Sequence, residues 1–219
     1  HYGRIGGVMR DITSEVAAET RECLDDMEKR WAEYNTLLTE NEIFVRRLAN
    51  VGIIPPERAI ACGVTGPTLR GSGVAHDIRR VEPYGCYDKL EFDVCIGAGL
   101  KGVLGDSWDR YWVRMCEIMQ SVRICRQVLD GLPEGPVMGK VPRKLKIPEN
   151  EAYTRTETPR GELAFYLVSD GSDTLRRCRI RGPAFCNLSI FSEVARNCLV
   201  ADVVIILGSI DVVLGEVDR

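Results

Sequence analysis

Hydrophobic positions along the chain follow helical spacing in two long stretches and turn strand-like in a third. Between residues 11 and 40, Ile12, Val16, Thr20, Cys23, Met27, Trp31, Tyr34 and Leu38 recur every three or four residues, while Glu15, Arg21, Glu22, Asp25 and Glu28 lie largely off that stripe. This spacing predicts an amphipathic helix. A second helical piece is predicted over 42–49, and Pro55-Pro56 reads as a turn opening a short helix, because proline fits the first helical turn. Residues 62–75 are Gly-rich and read as irregular, and 91–96 as a short strand or extended segment. The longest helical pattern spans 107–131, where Trp108, Tyr111, Met115, Ile118, Val122, Cys125 and Leu129 alternate spacings of three and four. It predicts a seam packed against other long helices, with Asp106 or Ser107 as N-cap and Gly131 at the C-terminal end.

Beyond that seam, Pro133, Pro136, Pro142 and Pro148 alternate with Lys140, Arg143, Lys144 and Lys146, the pattern of a basic, proline-punctuated connection. Gly161–Ser169 is strand-like, Asp170-Gly171 is a turn and Leu175–Arg181 is a second strand, with Arg177, Arg179 and Arg181 on one face and Cys178 and Ile180 on the other. A last helical pattern covers 184–198, and an apolar run over 199–210 leads to the end of the sequence. No internal repeat or low-complexity tract is evident. The fold class predicted is α+β, predominantly α, with a small β-sheet in roughly residues 152–182. Three parts are expected: a helical part about 1–131, the connection 132–150, and a β region with C-terminal helix and tail over 151–219.

Length and composition narrow the function. At 219 residues the chain is one or two domains. With 29 basic and 32 acidic residues its formal net charge is −3, which predicts no general attraction to nucleic acid or anionic lipid. The longest uncharged apolar run, 203–210, is eight residues, whereas a membrane-spanning helix needs about 20. The start, His1-Tyr2-Gly3-Arg4, lacks an apolar signal-peptide core and an initiating Met, so a piece of a longer protein is expected. Nine cysteines, an odd number with no pair in C-x-x-C spacing, argue against a disulfide framework or a Cys-ligated metal and predict buried, reduced thiols. The two histidines give little support for a His-rich metal site or a Ser–His–Asp triad.

Several motifs touch on chemistry without carrying it. Gly97, Gly99 and Gly102 match G-x-G-x-x-G, but a dinucleotide site needs a second strand ending in an acid about 20 residues on. Here a long helix follows, so a loop is expected. The glycines around 66–73 lack the Gly-Lys-Ser/Thr of a phosphate loop and are expected to allow close backbone approach. Arg70 and Arg79 are expected to pair with local carboxylates such as Asp77 or Glu82, and His76 is read as structural. The arginine face at 177, 179 and 181 is read as solvated or salt-bridged, or else as a contact for an acidic partner. The last stretch is richest. Its apolar run carries Asp202, Asp211, Glu216 and Asp218, and buried carboxylates are costly unless paired. A tail docked into a site, rather than frayed, is therefore expected.

Taken in order, several short motifs form a set: Arg4-Ile5-Gly6-Gly7-Val8, Thr65-Gly66-Pro67, Leu69-Arg70, Ser72-Gly73-Val74, Asp77-Ile78-Arg79, Gly105-Asp106, Arg110-Tyr111 and Arg160-Gly161-Glu162. The set closes with Phe185-Cys186-Asn187-Leu188, Ala201-Asp202 and the ending from Gly208-Ser209-Ile210-Asp211 to Gly215-Glu216-Val217-Asp218-Arg219. In this set the chain resembles the C-terminal portion of the 49 kDa (D) subunit family of respiratory complex I, relatives of the [NiFe]-hydrogenase large subunit. The resemblance implies a hydrogenase-large-subunit-like helical bundle with a small β-sheet. Hydrogenases close with a nickel-binding Asp-Pro-Cys-x-x-Cys; here Val213 and Glu216 occupy the two cysteine positions, and without thiolates a nickel–iron centre has no anchor. The resemblance implies no metal and no catalytic residue on this chain, and quinone as the substrate.

NADH would be oxidised at FMN in another subunit. Electrons would pass along iron–sulfur clusters in partner subunits, the last in the B subunit, to quinone in a pocket shared with this chain. Val213 aligns with a pocket-lining position, and Asp211, Glu216 and Asp218 are weaker candidates whose alternative role is to anchor the tail through arginines. Further implied partners are the C (30 kDa) subunit and the membrane H subunit. The implied location is peripheral, on the cytoplasmic side of the cell membrane or the matrix or stromal side in an organelle. The family's principal quinone-contacting His and Tyr lie upstream of these residues, so this segment alone is not expected to be active. Two other readings stay open: an archaeal-type complex with a different electron donor, and a membrane-associated hydrogenase-related large subunit lacking nickel.

Overall fold

A computed structural model describes residues 2–142 and 147–218 of the chain. His1, Arg219 and, from the basic connection, Arg143, Lys144 and Lys146 lie outside the described residues. A hairpin comes first, β1 (Gly3–Arg4) against β2 (Gly7–Val8). The later connection holds it, with Val8 N donating to Val137 O at 3.0 Å and Gly139 N to Gly6 O at 2.8 Å. Helix α1 (Ser14–Tyr34) is capped by Thr13, whose hydroxyl accepts from Val16 N, and runs on into a π-helical turn, Asn35–Thr39. Next come α2 (Glu42–Leu48), capped by Asn41, α3 (Pro56–Ala61), opening on proline, α4 (Gly66–Gly71) and α5 (Ile78–Val81). Residues 90–97 then run along α6 (Ser107–Asp130) without joining a strand, and Asp106 caps that helix by accepting from Asp109 N at 2.9 Å.

Strands β3 (Asn150–Thr158), β4 (Gly161–Ser169) and β5 (Leu175–Arg181) form an antiparallel sheet in that order. The register runs from Thr158 opposite Gly161 to Asn150 opposite Ser169, and Leu167 faces Cys178. Four helices close the chain: α7 (Pro183–Leu188), α8 (Phe191–Val194), α9 (Val200–Ile210) and α10 (Leu214–Asp218). Among the described residues no helix is long and apolar enough to cross a membrane.

Four expectations need correction. The Gly-rich stretch 62–75 is not irregular: it holds α4, all of whose residues are buried. Its glycines serve close packing, since a Cβ on Gly66 would sit 2.4 Å from Gly161 Cα and one on Gly71 3.1 Å from Arg110 Cα. The pattern over 184–198 is two short helices, and the longer helix is the apolar run after it. Strand β3 falls within the sheet region expected over roughly 152–182, and its correction is one of bounds only: pairing along the whole length of β4 starts it at Asn150. The cysteines are not buried. All nine are free, four exposed and five half-buried, because they sit on the flanks of packed faces or on the open face of β5.

Helix α1 also turns a different face inward. Its contact with α6 runs through Ala17, Leu24 and Trp31, whose indole Nε1 donates to Met115 O at 2.8 Å. Val16, Met27 and Tyr34 of the predicted stripe stay 40–46% exposed. Among the described residues α6 is the one long helix beside α1, and the flank of α1 that faces it is the covered one. The α6 seam is likewise half used: Trp108, Met115, Val122 and Leu129 are buried, Tyr111 and Ile118 are half-buried, and Cys125 is open. A second face of α6 is buried as well, where Ile124 meets Leu90 and Phe92. A separate core joins Ile54, Ala59, Val64, Leu69 and Ile190.

Candidate functional site

Charge is buried where α4, α5, α6 and β3 meet. Arg70, on α4, is only 1% exposed. Its guanidinium donates to Glu117 at 2.7 Å, to Glu157 at 2.8 Å and to the His76 carbonyl at 3.0 Å, and lies 3.6 Å from Asp77. Arg79 closes the cluster with a bidentate pair to Asp77 at 2.6 and 2.9 Å. Burial opposes the charge on Arg70, but Glu117, Glu157 and Asp77 outweigh it and hold its pKa above the ordinary value. Burial also pushes Asp77 up, yet the hydrogen bonds from Arg79 and the charge of Arg70 bring it below its ordinary range. At Glu117 burial wins, and its pKa is raised despite Arg70. The expected pairing of Arg79 with Asp77 is therefore present. Glu82 instead pairs with Arg155.

A second set of buried charges anchors the N-terminal end of α6. Asp109 accepts from Gly99 N at 3.0 Å and Gly105 N at 3.1 Å, so the G-x-G-x-x-G segment is a loop wrapped around a carboxylate. Arg110 is fully buried and donates to Ser209 Oγ at 2.9 Å, Gly105 O at 2.7 Å and Gly52 O at 2.8 Å. Burial and neighbouring Arg114 lower its pKa to about 9, so it remains cationic at neutral pH. One turn on, Arg114 donates to the Ile210 carbonyl at 3.3 Å and faces the Asp211 carboxylate at 3.9 Å, while its Nε has no hydrogen-bond partner.

These arginines fix the end of α9. Asp211 terminates that helix in the left-handed region, at φ 60° and ψ 56°, which costs a non-glycine residue unless its surroundings hold it. Arg160 donates to its carbonyl at 3.2 Å and to its carboxylate at 3.4 Å. Val213 follows, half-buried, its carbonyl accepting from Glu216 N at 3.1 Å. The Glu216 carboxylate accepts from Ala184 N at 3.1 Å at the start of α7. Gly182 lies against the Glu216 carbonyl so closely that a Cβ there would sit 2.5 Å away. Asp218 shares a shallow cleft of about 440 Å³ with Cys178, Arg179 and Ile180. The tail is docked at Asp211 and Glu216, while Leu214 between them is 74% exposed.

A groove of about 490 Å³ lies between α1 and α6. Leu24 and Met27 form one wall, Ile118, Val122 and Cys125 the other, and Arg70, Arg79, Arg114, Glu117, Glu157 and Asp211 the floor. Of the four candidate residues in the tail, Asp211 alone lines it; Val213, Glu216 and Asp218 do not. A larger cleft of about 600 Å³ lies near the start of α9; two of its carboxylates are paired, Glu193 with Arg58 and Asp202 with Arg47. Sequence reasoning missed Arg110 and Arg114 as site residues. Their signal was two arginines one turn apart in a helix whose inward positions beyond its first turns are apolar.

Helix packing around buried ion pairs, with a three-stranded sheet on one side, defines an α+β, predominantly α chain, which agrees with the hydrogenase-large-subunit-like class of the family that follows. The family model for the 49 kDa subunit of respiratory-chain NADH dehydrogenase matches residues 1–145 and 140–219, and the chain belongs to that family. It is 47% identical over 219 residues to one of the NADH-quinone oxidoreductase D-subunit proteins, the second, of Anaeromyxobacter dehalogenans. The D-subunit proteins of the same enzyme from Syntrophobacter fumaroxidans and Dehalococcoides mccartyi are 47% and 46% identical. Each of these alignments covers 100% of the chain and 57–58% of the relative, so the chain spans somewhat over half the length of the curated relatives it matches.

Proposed function

We propose that this chain supplies a wall of the quinone pocket in an NADH–quinone oxidoreductase. The observation that carries this reading is the Asp211 turn. Two arginines grip it, and it sets the position of Val213, which occupies a place where nickel-binding relatives have cysteine. An aliphatic side chain there suits the face of a quinone ring. Asp211 faces Arg114 at 3.9 Å, and the Arg114 Nε there makes no hydrogen bond. Glu216 and Asp218 act by anchoring the tail, and so shape the pocket indirectly.

In this reading NADH is oxidised at FMN in another subunit, and iron–sulfur clusters of partner subunits carry the electrons inward. The last cluster, in the B subunit, faces the pocket. The C (30 kDa) subunit and the membrane H subunit are the other neighbours, and the chain is peripheral on the cytoplasmic side of the cell membrane, or the equivalent side in an organelle. The chain spans little more than half of its relatives, so turnover belongs to the whole assembly. The test is Val213→Met in the assembled complex. Titration with a quinone-site inhibitor and the KM for quinone should both shift while the composition of the complex is unchanged. An unaltered titration in an intact assembly removes Val213 from the pocket wall.

A further inference from the structure

Residues 90–97 lie as a strap along α6, and their contacts step regularly down one face of that helix. The Gln127 side chain clamps both backbone groups of Glu91, donating to its carbonyl at 2.7 Å and accepting from its N–H at 2.8 Å. Gln120 accepts from Asp93 N at 3.0 Å, and Arg123 pairs with Glu91 and Asp93 at 3.2 and 3.4 Å. At the far end Gly97 N donates to Arg70 O at 2.8 Å, and Gly97 sits so close to Asp109 that a Cβ would be 3.1 Å from that residue's Cβ. Cys95 lies midway between Asp93 and Gly97. The helix residue that falls opposite it, between Gln120 and Asp109, is Cys116, and the two thiols are near enough to influence each other's ionisation. Both are half-buried rather than enclosed.

We propose that Cys95 and Cys116 form a reversible dithiol–disulfide site whose oxidant is a small hydroperoxide. The two sulfurs have different roles. Its interaction with Cys95 lowers the pKa of Cys116, while the same interaction and burial raise that of Cys95, so Cys116 ionises first. A thiolate is the reactive form. The Cys116 thiolate attacks a peroxide oxygen: an S–O bond forms, the O–O bond breaks, and the departing hydroxide takes a proton to become water. Cys95 then gives up its proton and its sulfur attacks the Cys116 sulfenic sulfur. The S–S bond forms, the S–O bond breaks, and the second hydroxide leaves as water with that proton. Two thiols lose two electrons and one hydrogen peroxide becomes two waters. The disulfide fastens the strap to the helical turn that carries Arg114 and Glu117.

The experiment treats the full-length protein in its native assembly with hydrogen peroxide, alkylates remaining thiols, and maps the digest by mass spectrometry. The expected result is a peptide pair linked through Cys95 and Cys116 that dithiothreitol separates. Cys95→Ser should abolish the link and leave Cys116 without a resolving partner, so that it advances to sulfinic acid. Cys116→Ser should abolish the link and leave Cys95 unoxidised. Recovery of both residues as separate alkylated peptides in the wild type overturns the proposal. Equal over-oxidation of Cys116 with and without Cys95 overturns it too.

Discussion

Replacing Arg70 by methionine tests whether the buried charges hold the centre of the molecule. Methionine keeps much of the aliphatic volume and removes the guanidinium. Asp77, Glu117 and Glu157, now sharing Arg79 as their nearest cation, would be left with one positive charge where they had two. Each pair at 3–4 Å has a gross Coulomb energy of about 4 kcal/mol at an effective dielectric constant of about 20, much of it already offset by desolvation. Removing one partner of such a buried cluster costs about 3–5 kcal/mol net, a large share of the roughly 5–15 kcal/mol that stabilises a typical domain. The loss should also depend on pH. Glu117 has a raised pKa, and without Arg70 it rises further. Over the interval between its unfolded and folded values the folded state then binds the extra proton, so stability falls as pH rises through that interval. Urea denaturation followed by far-UV circular dichroism at about pH 8 and about pH 5 reads both effects. The variant should be strongly destabilised at the higher pH and partly recover at the lower. A loss under about 1 kcal/mol with the parent's pH slope would refute the assignment, since surface substitutions give values of that size. Arg70→Lys should recover only part of the loss, because one ammonium cannot serve both glutamates and the His76 carbonyl in the same geometry.

Three further outcomes follow from the packing. Met115→Asp should abolish folding: Met115 is 7% exposed and lies against α1, and an unpaired carboxylate there costs several kcal/mol; a soluble variant with native circular dichroism would show that the seam is open. Gly66→Ala should cost more than about 2 kcal/mol, because Gly66 has φ +66° and its Cβ would lie 2.4 Å from Gly161 Cα; an unchanged urea midpoint would show that the two backbones do not cross there. Asp77 is held below its ordinary value of 3.8 in the fold. Its ionised form therefore adds stability at neutral pH that is lost as pH falls from about that value through the lower folded one. Asp77→Asn should be less stable at neutral pH and show a shallower acid limb in thermal melts across the acid range, whereas an unchanged limb would assign acid unfolding to other carboxylates.

The sequence by itself determined the elements that carry their own local signals. Helix α6, its Asp106 cap and its end at Gly131 were legible because capping and three-and-four spacing are local properties. Strands β4 and β5 and the proline start of α3 were legible for the same reason. Tertiary structure decided which flank of α1 is covered, because a helix with apolar residues over a broad arc buries whichever side meets a neighbour. It made α4 a helix, since its glycines are chosen for contact with Gly161 and Arg110 rather than for helix propensity. It also set Arg70, Arg110 and Arg114 in the interior. A buried guanidinium needs several acceptors at once, and here they come from chain segments dozens of residues away, as Glu117, Glu157, Gly52 and Ser209 do. No local pattern announces partners that far apart, so only the folded chain could show that its charges are paired inside.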